Sequence, residues 1–253
     1  MSRVQKPFVS AVIPVFNSEA GLGALVEELI QGMKREYKAE IVLVNDASGD
    51  RSEEVCIRLY EKYPHEIKVI SLARNAGEYN AVMAGLKYAS GDYAVTLDDD
   101  GQNPPSQIFV LMEALLSGPY DVVYGTYKQK KHPGWRNAAS KLHNAAACIF
   151  LQKPPRLYLS SFKAIKRSLL NEVIKDDTSY PLPDALILRA ARNIGQVFVD
   201  HEPRKSGKSG YSFRKLLLLS LRMLPFQPFR RGEKGRPQFV IRKTWGIEKE
   251  RAE

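Results

Sequence analysis

The stretch IKVISLARNAGEYNAVMAGLKYASGDYAVTLDDDGQNPP, residues 67–105, decides the fold. Ile67–Leu72 is an apolar run rich in β-branched residues, Glu78–Ala89 has apolar residues at i, i+3 and i+4, and Asp92–Leu97 is a second extended run. Strand, helix and strand in succession form a βαβ unit, which makes the two strands parallel members of one sheet joined by a right-handed crossover. The same alternation continues outward. Strands are expected at Ser10–Phe16, Glu40–Asn45 and Tyr120–Gly125, and helices at Ala20–Tyr37, Ser52–Tyr63 and Pro105–Ser117. The class is therefore α/β, a Rossmann-like, mostly parallel sheet flanked by helices.

Ligands of such sheets bind at the carboxyl ends of the strands. Those ends read Pro14 to Asn17, then Asn45 and Asp46, then Arg74 and Asn75, then Asp98, Asp99 and Asp100. A single polar strand end needs no function. Four that converge on one crevice point to a site.

Beyond Gly125 the alternation loosens. Trp135–Leu151 reads as a helix that Pro154 and Pro155 break, Tyr158–Ile174 as a short extended piece plus a helix, Pro183–Ile194 as a helix and Gln196–His201 as a last strand. From Ser212, FRKLLLLSLRMLPFQPFRR makes a short, basic-ended amphipathic helix stopped by Pro225, too short to span a bilayer and suited to its surface. Packing of Leu216–Leu224 on the domain or on another subunit of a homo-oligomer is the alternative.

With 44% apolar and 26% charged residues in 253, the chain suits a folded protein of one large or two small domains. Cys56 and Cys148 form no CxxC or Cys/His cluster, which argues against a disulfide framework or structural zinc and for a reducing compartment. Residues 1–16 lack the apolar core of a signal peptide, and no run reaches about 18 apolar residues. The net charge of +10 is local: residues 204–253 hold 14 Lys/Arg against 4 Asp/Glu, and the first 203 residues are neutral. A neutral domain carries a basic tail, so the charge alone does not make a nucleic-acid binder.

In the acidic turn after Leu97, Asp98 and Asp100 can face one side and Gln102 can add an amide oxygen. This is a hard oxygen set suited to Mg²⁺ or Mn²⁺, the ions that bridge diphosphate oxygens. The competing reading is an N-cap, from Asp100 or Asn103, on the helix that follows Pro104 and Pro105. Asp46 suits either a hydrogen bond to a nucleoside or an Asx-turn with Ser48 and Gly49. Asp184 suits either a general base or an N-cap for Ala185–Ile194. Arg136, Ser140 and Lys141 suit either an anion cradle or a solvated basic helix face. Gly207–Gly210 has a P-loop-like look, but Glu202 stands where that pattern requires its first glycine, which excludes the nucleotide-hydrolase reading.

VIPVFNSEAGL (12–22), VNDASGDRS (44–52), residues 72–105 and HEPRKSGKSGYSFRKLL (201–217) together resemble the family 2 glycosyltransferases of GT-A fold. The resemblance is to the branch that loads sugars onto polyprenyl phosphates, which includes dolichyl-phosphate mannose synthases, bactoprenol glucosyltransferases and undecaprenyl-phosphate aminoarabinose transferases. It implies a catalytic domain over residues 1–211, its nucleotide-sugar half at 1–126 and its acceptor half at 127–211, followed by an amphipathic helix and basic tail at 212–253. It further implies a nucleoside diphosphate sugar donor, most simply UDP-linked, held by Pro14, Phe16, Asn17, Glu19, Asp46, Arg74, Asp98 and Asp99. Asp98, Asp100 and Gln102 would take the metal. Arg204, Lys205, Ser209 and Tyr211 would lie in a loop over the diphosphate, and Arg136, Ser140 and Lys141 would hold the acceptor phosphate. Asp100, Asp184 and Arg204 are the implied catalytic residues.

The sequence departs from that branch in three places. Glu78 replaces a common His or Lys. Tyr127 and Lys128 stand near a common acceptor-binding arginine. The flanks YSFRKLLLLSLRMLPFQPFR (211–230) and GRPQFVIRK (235–243) join without the transmembrane hairpin that separates them in the branch. The expectation is an inverting, metal-dependent enzyme, peripheral at the anionic inner face of the cytoplasmic membrane. A soluble transferase with a saccharide hydroxyl acceptor in cell-surface glycan synthesis is the second expectation. A non-catalytic nucleotide-sugar or nucleic-acid binder is the third, disfavoured because neither role needs a metal–diphosphate site.

Overall fold

The computed structural model describes residues 5–127, 153–176, 182–203 and 238–247. Among them are eight strands and six helices. The first half alternates strictly: β1 (Phe8–Val15), α1 (Leu22–Glu36), β2 (Lys38–Asn45), α2 (Ser52–Lys62), β3 (Ile67–Leu72), α3 (Glu78–Tyr88), β4 (Tyr93–Thr96), α4 (Gln107–Ser117) and β5 (Val122–Tyr127). Then follow β6 (Lys163–Lys166), α5 (Arg167–Val173), α6 (Pro183–Ala190), β7 (Ile194–Val199) and β8 (Ile241–Trp245).

The strands form one sheet in the order β7-β5-β6-β4-β1-β2-β3-β8. β1, β2, β3 and β4 are mutually parallel, as the βαβ pattern requires. β6 enters antiparallel between β4 and β5, and β8 lies antiparallel on the outer edge of β3. The chain runs outward from β1 through β2 to β3, then crosses back to place β4 on the other side of β1. That reversal puts the topological switch point between β1 and β4, where such sheets open a ligand crevice.

Both faces of the sheet are covered. Ala11 and Ile13 of β1 pack toward α1, α2 and α4 with Leu25, Leu29, Met33 and Leu111, whereas Val12 points the other way, among Val42, Ala81 and Leu86. Alternate residues of one strand serve two cores, which is why the sequence reads as continuous apolar runs rather than alternation. Gly85 lets α3 lie close on the sheet: a Cβ there would sit 2.3 Å from Val12 Cγ1 and 3.0 Å from Val44 Cγ2.

The expected strands and helices of the first half are all present, with ends moved by at most two residues. Residues 241–245, read as part of the basic tail, are instead a sheet strand. No helix among the described residues is long and apolar enough to cross a membrane. The expected helix Trp135–Leu151 and the amphipathic segment from Ser212 lie outside the described residues.

Candidate active site

The carboxyl ends of β1 and β4 form the two lips of the crevice, and Asp99 ties them together. Its Oδ2 accepts from the Phe16 N–H at 3.0 Å and from the Ser18 hydroxyl. This fixes the turn in which Asn17 takes a left-handed φ of 53°. Phe16 is 49% exposed there, an aromatic face open to the crevice mouth and suited to stack on a base. The same turn is braced from β2: Asn17 Oδ1 accepts from Gly49 N–H at 2.8 Å, Asn17 N–H donates to Ser48 Oγ at 3.1 Å, and Glu19 accepts from Arg51 N–H at 3.0 Å and pairs with its side chain.

Asp46, at the end of β2, is buried at 3% exposure. Its Oδ1 and Oδ2 accept from Ala76 N–H at 2.6 Å and Gly77 N–H at 2.9 Å. Burial raises its carboxyl above the ordinary range, and these two bonds pull it back. The Asx-turn reading is not what forms, since Ser48 N–H is taken by Asn45 Oδ1 at 3.2 Å. Asp46 instead clamps the turn that presents Arg74, which is exposed, and Gly77, whose φ of 91° favours glycine. Asp46→Asn should weaken nucleoside diphosphate binding roughly tenfold and cost about 1–3 kcal/mol, because it turns one acceptor into a donor facing an N–H. Calorimetric titration and thermal unfolding check this; no change in either would remove the clamp.

Asp98 and Asp100 lie at the mouth of β4. Asp98 accepts from Ser161 Oγ at 2.7 Å, and Asp100 Oδ1 accepts from Gln102 N–H at 3.0 Å. Burial, and then the charge of Glu78, drive the Asp98 carboxyl up to about 7, with Asp100 and Asp99 adding to the rise and the Ser161 bond opposing it. Asp99 is raised by burial as well. The N-cap reading of Asp100 and Asn103 does not hold: Ser106 occupies the N-cap of α4, and Asn103 Oδ1 accepts from Tyr127 Oη at 2.8 Å.

Gln102 is pinned at two points to the segment after β7. Its carbonyl accepts from Glu202 N–H at 2.9 Å and its Nε2 donates to the Glu202 carbonyl at 3.3 Å, which leaves Oε1 as the amide's ligand atom. Tyr127 packs edge-on to His201, with ring centres 4.4 Å apart, and also meets Tyr158. These contacts carry the end of β7 onto the acidic turn.

The donor set fits a divalent cation of open coordination. Among the described residues, no three His, Cys, Asp or Glu side chains gather closely enough to hold a metal by themselves. One or two carboxylates and an amide oxygen, completed by diphosphate oxygens and water, is the arrangement Mg²⁺ and Mn²⁺ take on nucleotides. The negative charge crowded around Asp98 is what such an ion would neutralise.

Asp184 lies in the first turn of α6, after Leu182 at the N-cap and Pro183, so it is not a cap. Its Oδ1 receives Lys163 Nζ from β6 and the Tyr124 hydroxyl of β5 at 2.9 Å. Arg136, Ser140, Lys141, Arg204, Lys205, Ser209 and Tyr211 lie outside the described residues. Sequence reasoning missed Ser161 and Lys163. Both flank or form the antiparallel β6, whose pairing with β4 no local pattern announces.

A parallel sheet with an antiparallel insertion, an aromatic lip and an acidic turn at the switch point defines a nucleotide-sugar-transferase architecture, the GT-A fold. The family model for glycosyl transferase family 2 matches residues 10–174, and the chain belongs to that family. It is 36% identical, over 84% of its length, to an undecaprenyl-phosphate 4-deoxy-4-formamido-L-arabinose transferase of Edwardsiella ictaluri, and spans 65% of that relative. It is 34% identical over 88% of its length to the same-named protein of Photorhabdus laumondii subsp. laumondii, spanning 69% of it. In structure it resembles glucosyl-3-phosphoglycerate synthase of Mycobacterium tuberculosis, solved with Mn²⁺, UDP and phosphoglyceric acid, with a TM-score of 0.65 and 19% identity over 87% of this chain and 77% of that one.

Proposed function

We propose that the protein transfers a sugar from a nucleoside diphosphate, UDP in the first instance, to a polyprenyl phosphate at the inner membrane face, in one inverting step that depends on Mg²⁺ or Mn²⁺. The observation that carries this reading is the acidic turn at the switch point, with Asp98 and Asp100 each oriented by a scaffold donor beside the Phe16 lip. The named relatives supply the acceptor class.

Phe16 would stack on the base, while Asp46 holds the Ala76 and Gly77 amides in place and Arg74 faces the diphosphate. Asp98, Asp100 and Gln102 Oε1 would hold the metal, which supplies positive charge to the diphosphate as it departs. In the transfer an acceptor phosphate oxygen forms a bond to the anomeric carbon. The bond from that carbon to the diphosphate breaks, and its electron pair leaves with the nucleoside diphosphate. No proton has to move, because a phosphate monoester with a second pKa of about 6 is already ionised. A hydroxyl acceptor would need a base. The engagement of Asp184 with Lys163 and Tyr124 supports the phosphate acceptor over the saccharide one.

The test offers UDP- and GDP-sugars, with Mn²⁺ or Mg²⁺, to undecaprenyl phosphate in detergent and counts label extracted into lipid. Metal-dependent labelled lipid is expected. Donor consumption without lipid label would overturn the acceptor and point to a saccharide.

A further inference from the structure

β8 reaches the donor side of the crevice from the far end of the chain. Its ladder on β3 pairs Val69 with Trp245, Ile70 with Thr244 and Ser71 with Lys243, then skips to Leu72 with Ile241. Arg242 is therefore the extra residue of a β-bulge, a device that re-aims a side chain. It turns toward α2 and sets Nη2 on both carboxylate oxygens of Glu53, 189 residues away in sequence. Glu53 Oε1 also accepts from Ser71 Oγ of β3 at 2.7 Å. Just past the bulge, the Ala73 N–H donates to the Val240 carbonyl at 2.8 Å. The segment's entry is fixed by Gln238, which donates to the Asp176 carbonyl at 2.7 Å and accepts from Lys87 Nζ at 3.3 Å.

The two elements held in this way are the ones that carry the donor loops. Glu53 lies in the first turn of α2, directly after the Asp46–Arg51 loop, and Ala73 opens the turn that presents Arg74 and Gly77. Among the described residues the two loops meet at Asp46, whose carboxylate takes the Ala76 and Gly77 amides and whose carbonyl accepts from Asn75 Nδ2 at 3.3 Å. A tie from behind, between α2 and β3, sets the spacing across which that carboxylate must reach. The pair is part-exposed, 55% for Arg242 and 26% for Glu53, so it adds little to global stability. Its effect is local.

We propose that Arg242, through the β8 bulge and Glu53, positions the two loops that bind the nucleoside diphosphate. Arg242 is a positioning residue and touches no substrate. The proposal rests on the nucleotide-donor reading above and extends it to a strand on the opposite side of that crevice from the acidic turn.

The experiment compares the full chain with Arg242→Ala, with Arg242→Lys and with the exchanged pair Glu53→Arg plus Arg242→Glu. It measures UDP and GDP binding with Mn²⁺ by calorimetry, and amide hydrogen exchange of residues 46–51 and 73–77 without ligand. Arg242→Ala should weaken diphosphate binding about tenfold and speed exchange in both loops, with donor KM rising and kcat within about twofold. Arg242→Lys should fall between, because an ammonium can replace the single Nη2 contact only from a shorter stem, and the exchanged pair should recover most of the affinity. A folded Arg242→Ala protein with unchanged exchange and affinity would overturn the proposal, as would a fall in kcat at unchanged KM. Should wild type bind neither nucleotide while loop exchange still quickens in Arg242→Ala, the donor reading falls and the clamp stands.

Discussion

Asp100→Ala is expected to lower sugar transfer by about 10²–10³-fold, the usual cost of deleting one preorganised group that stabilises a departing charge. The folded structure is expected to survive, because the bond from the Gln102 N–H lies within the turn itself and joins no two elements of the sheet. Asp98→Asn is expected to be as inactive but more stable. Asp98 is crowded by the charges of Glu78, Asp100 and Asp99 and is partly desolvated, so an isosteric neutral amide removes repulsion while its oxygen keeps the Ser161 bond. If that relief is worth about 1 kcal/mol, the metal-free protein unfolds roughly 2–4 °C higher. Transfer assays and thermal unfolding on the two variants decide the point. Undiminished transfer in Asp100→Ala would end its metal role, and a lower unfolding temperature in Asp98→Asn would show that the carboxylates are not in conflict.

The parts of this fold that were legible in the sequence are those that carry their own periodicity. β3 is expected and found at Ile67–Leu72, and α2 and α3 start where their apolar spacing starts. Each needs only its own residues and the covered faces of a parallel sheet. β8 was not legible, because IRKTW has no apolar alternation and two adjacent cations. The open edge of β3 imposes the strand, and the basic side chains find Glu53 and the Trp245 ring only once it is there. The acidic turn was legible as chemistry, but its scaffolding was not. Ser161 and Lys163 reach Asp98 and Asp184 through an antiparallel insertion whose partner strand lies far off in sequence. The same limit explains Asp46. Its sequence context left a nucleoside contact and a local Asx-turn both open, and its actual protein partners come from the next βα loop.

Lys163→Met should be the most destabilising of the substitutions considered. The lysine is 5% exposed, and its ammonium sits on the half-buried Asp184 and over the Tyr124 ring, so its loss removes the cation from a carboxylate that keeps the Tyr124 hydroxyl. Breaking one side of a buried pair costs about 3–5 kcal/mol, which lowers the unfolding temperature by roughly 10 °C in a chain of this size. Removing the whole polar group should restore most of that loss: Lys163→Met with Asp184→Leu and Tyr124→Phe leaves neither a stranded charge nor an unpaired hydroxyl, and the site can close as an apolar core. The triple variant also separates two roles for Asp184. As the anchor that seats α6 on β5 and β6, Asp184 can be replaced, and the triple variant should transfer sugar to a phosphate acceptor within about tenfold of wild type. As a general base for a hydroxyl acceptor it cannot, and turnover would vanish while stability returned. Thermal unfolding and lipid-label transfer measured on the same preparations distinguish the two. A triple variant that is stable but no longer labels lipid would return Asp184 to the chemistry.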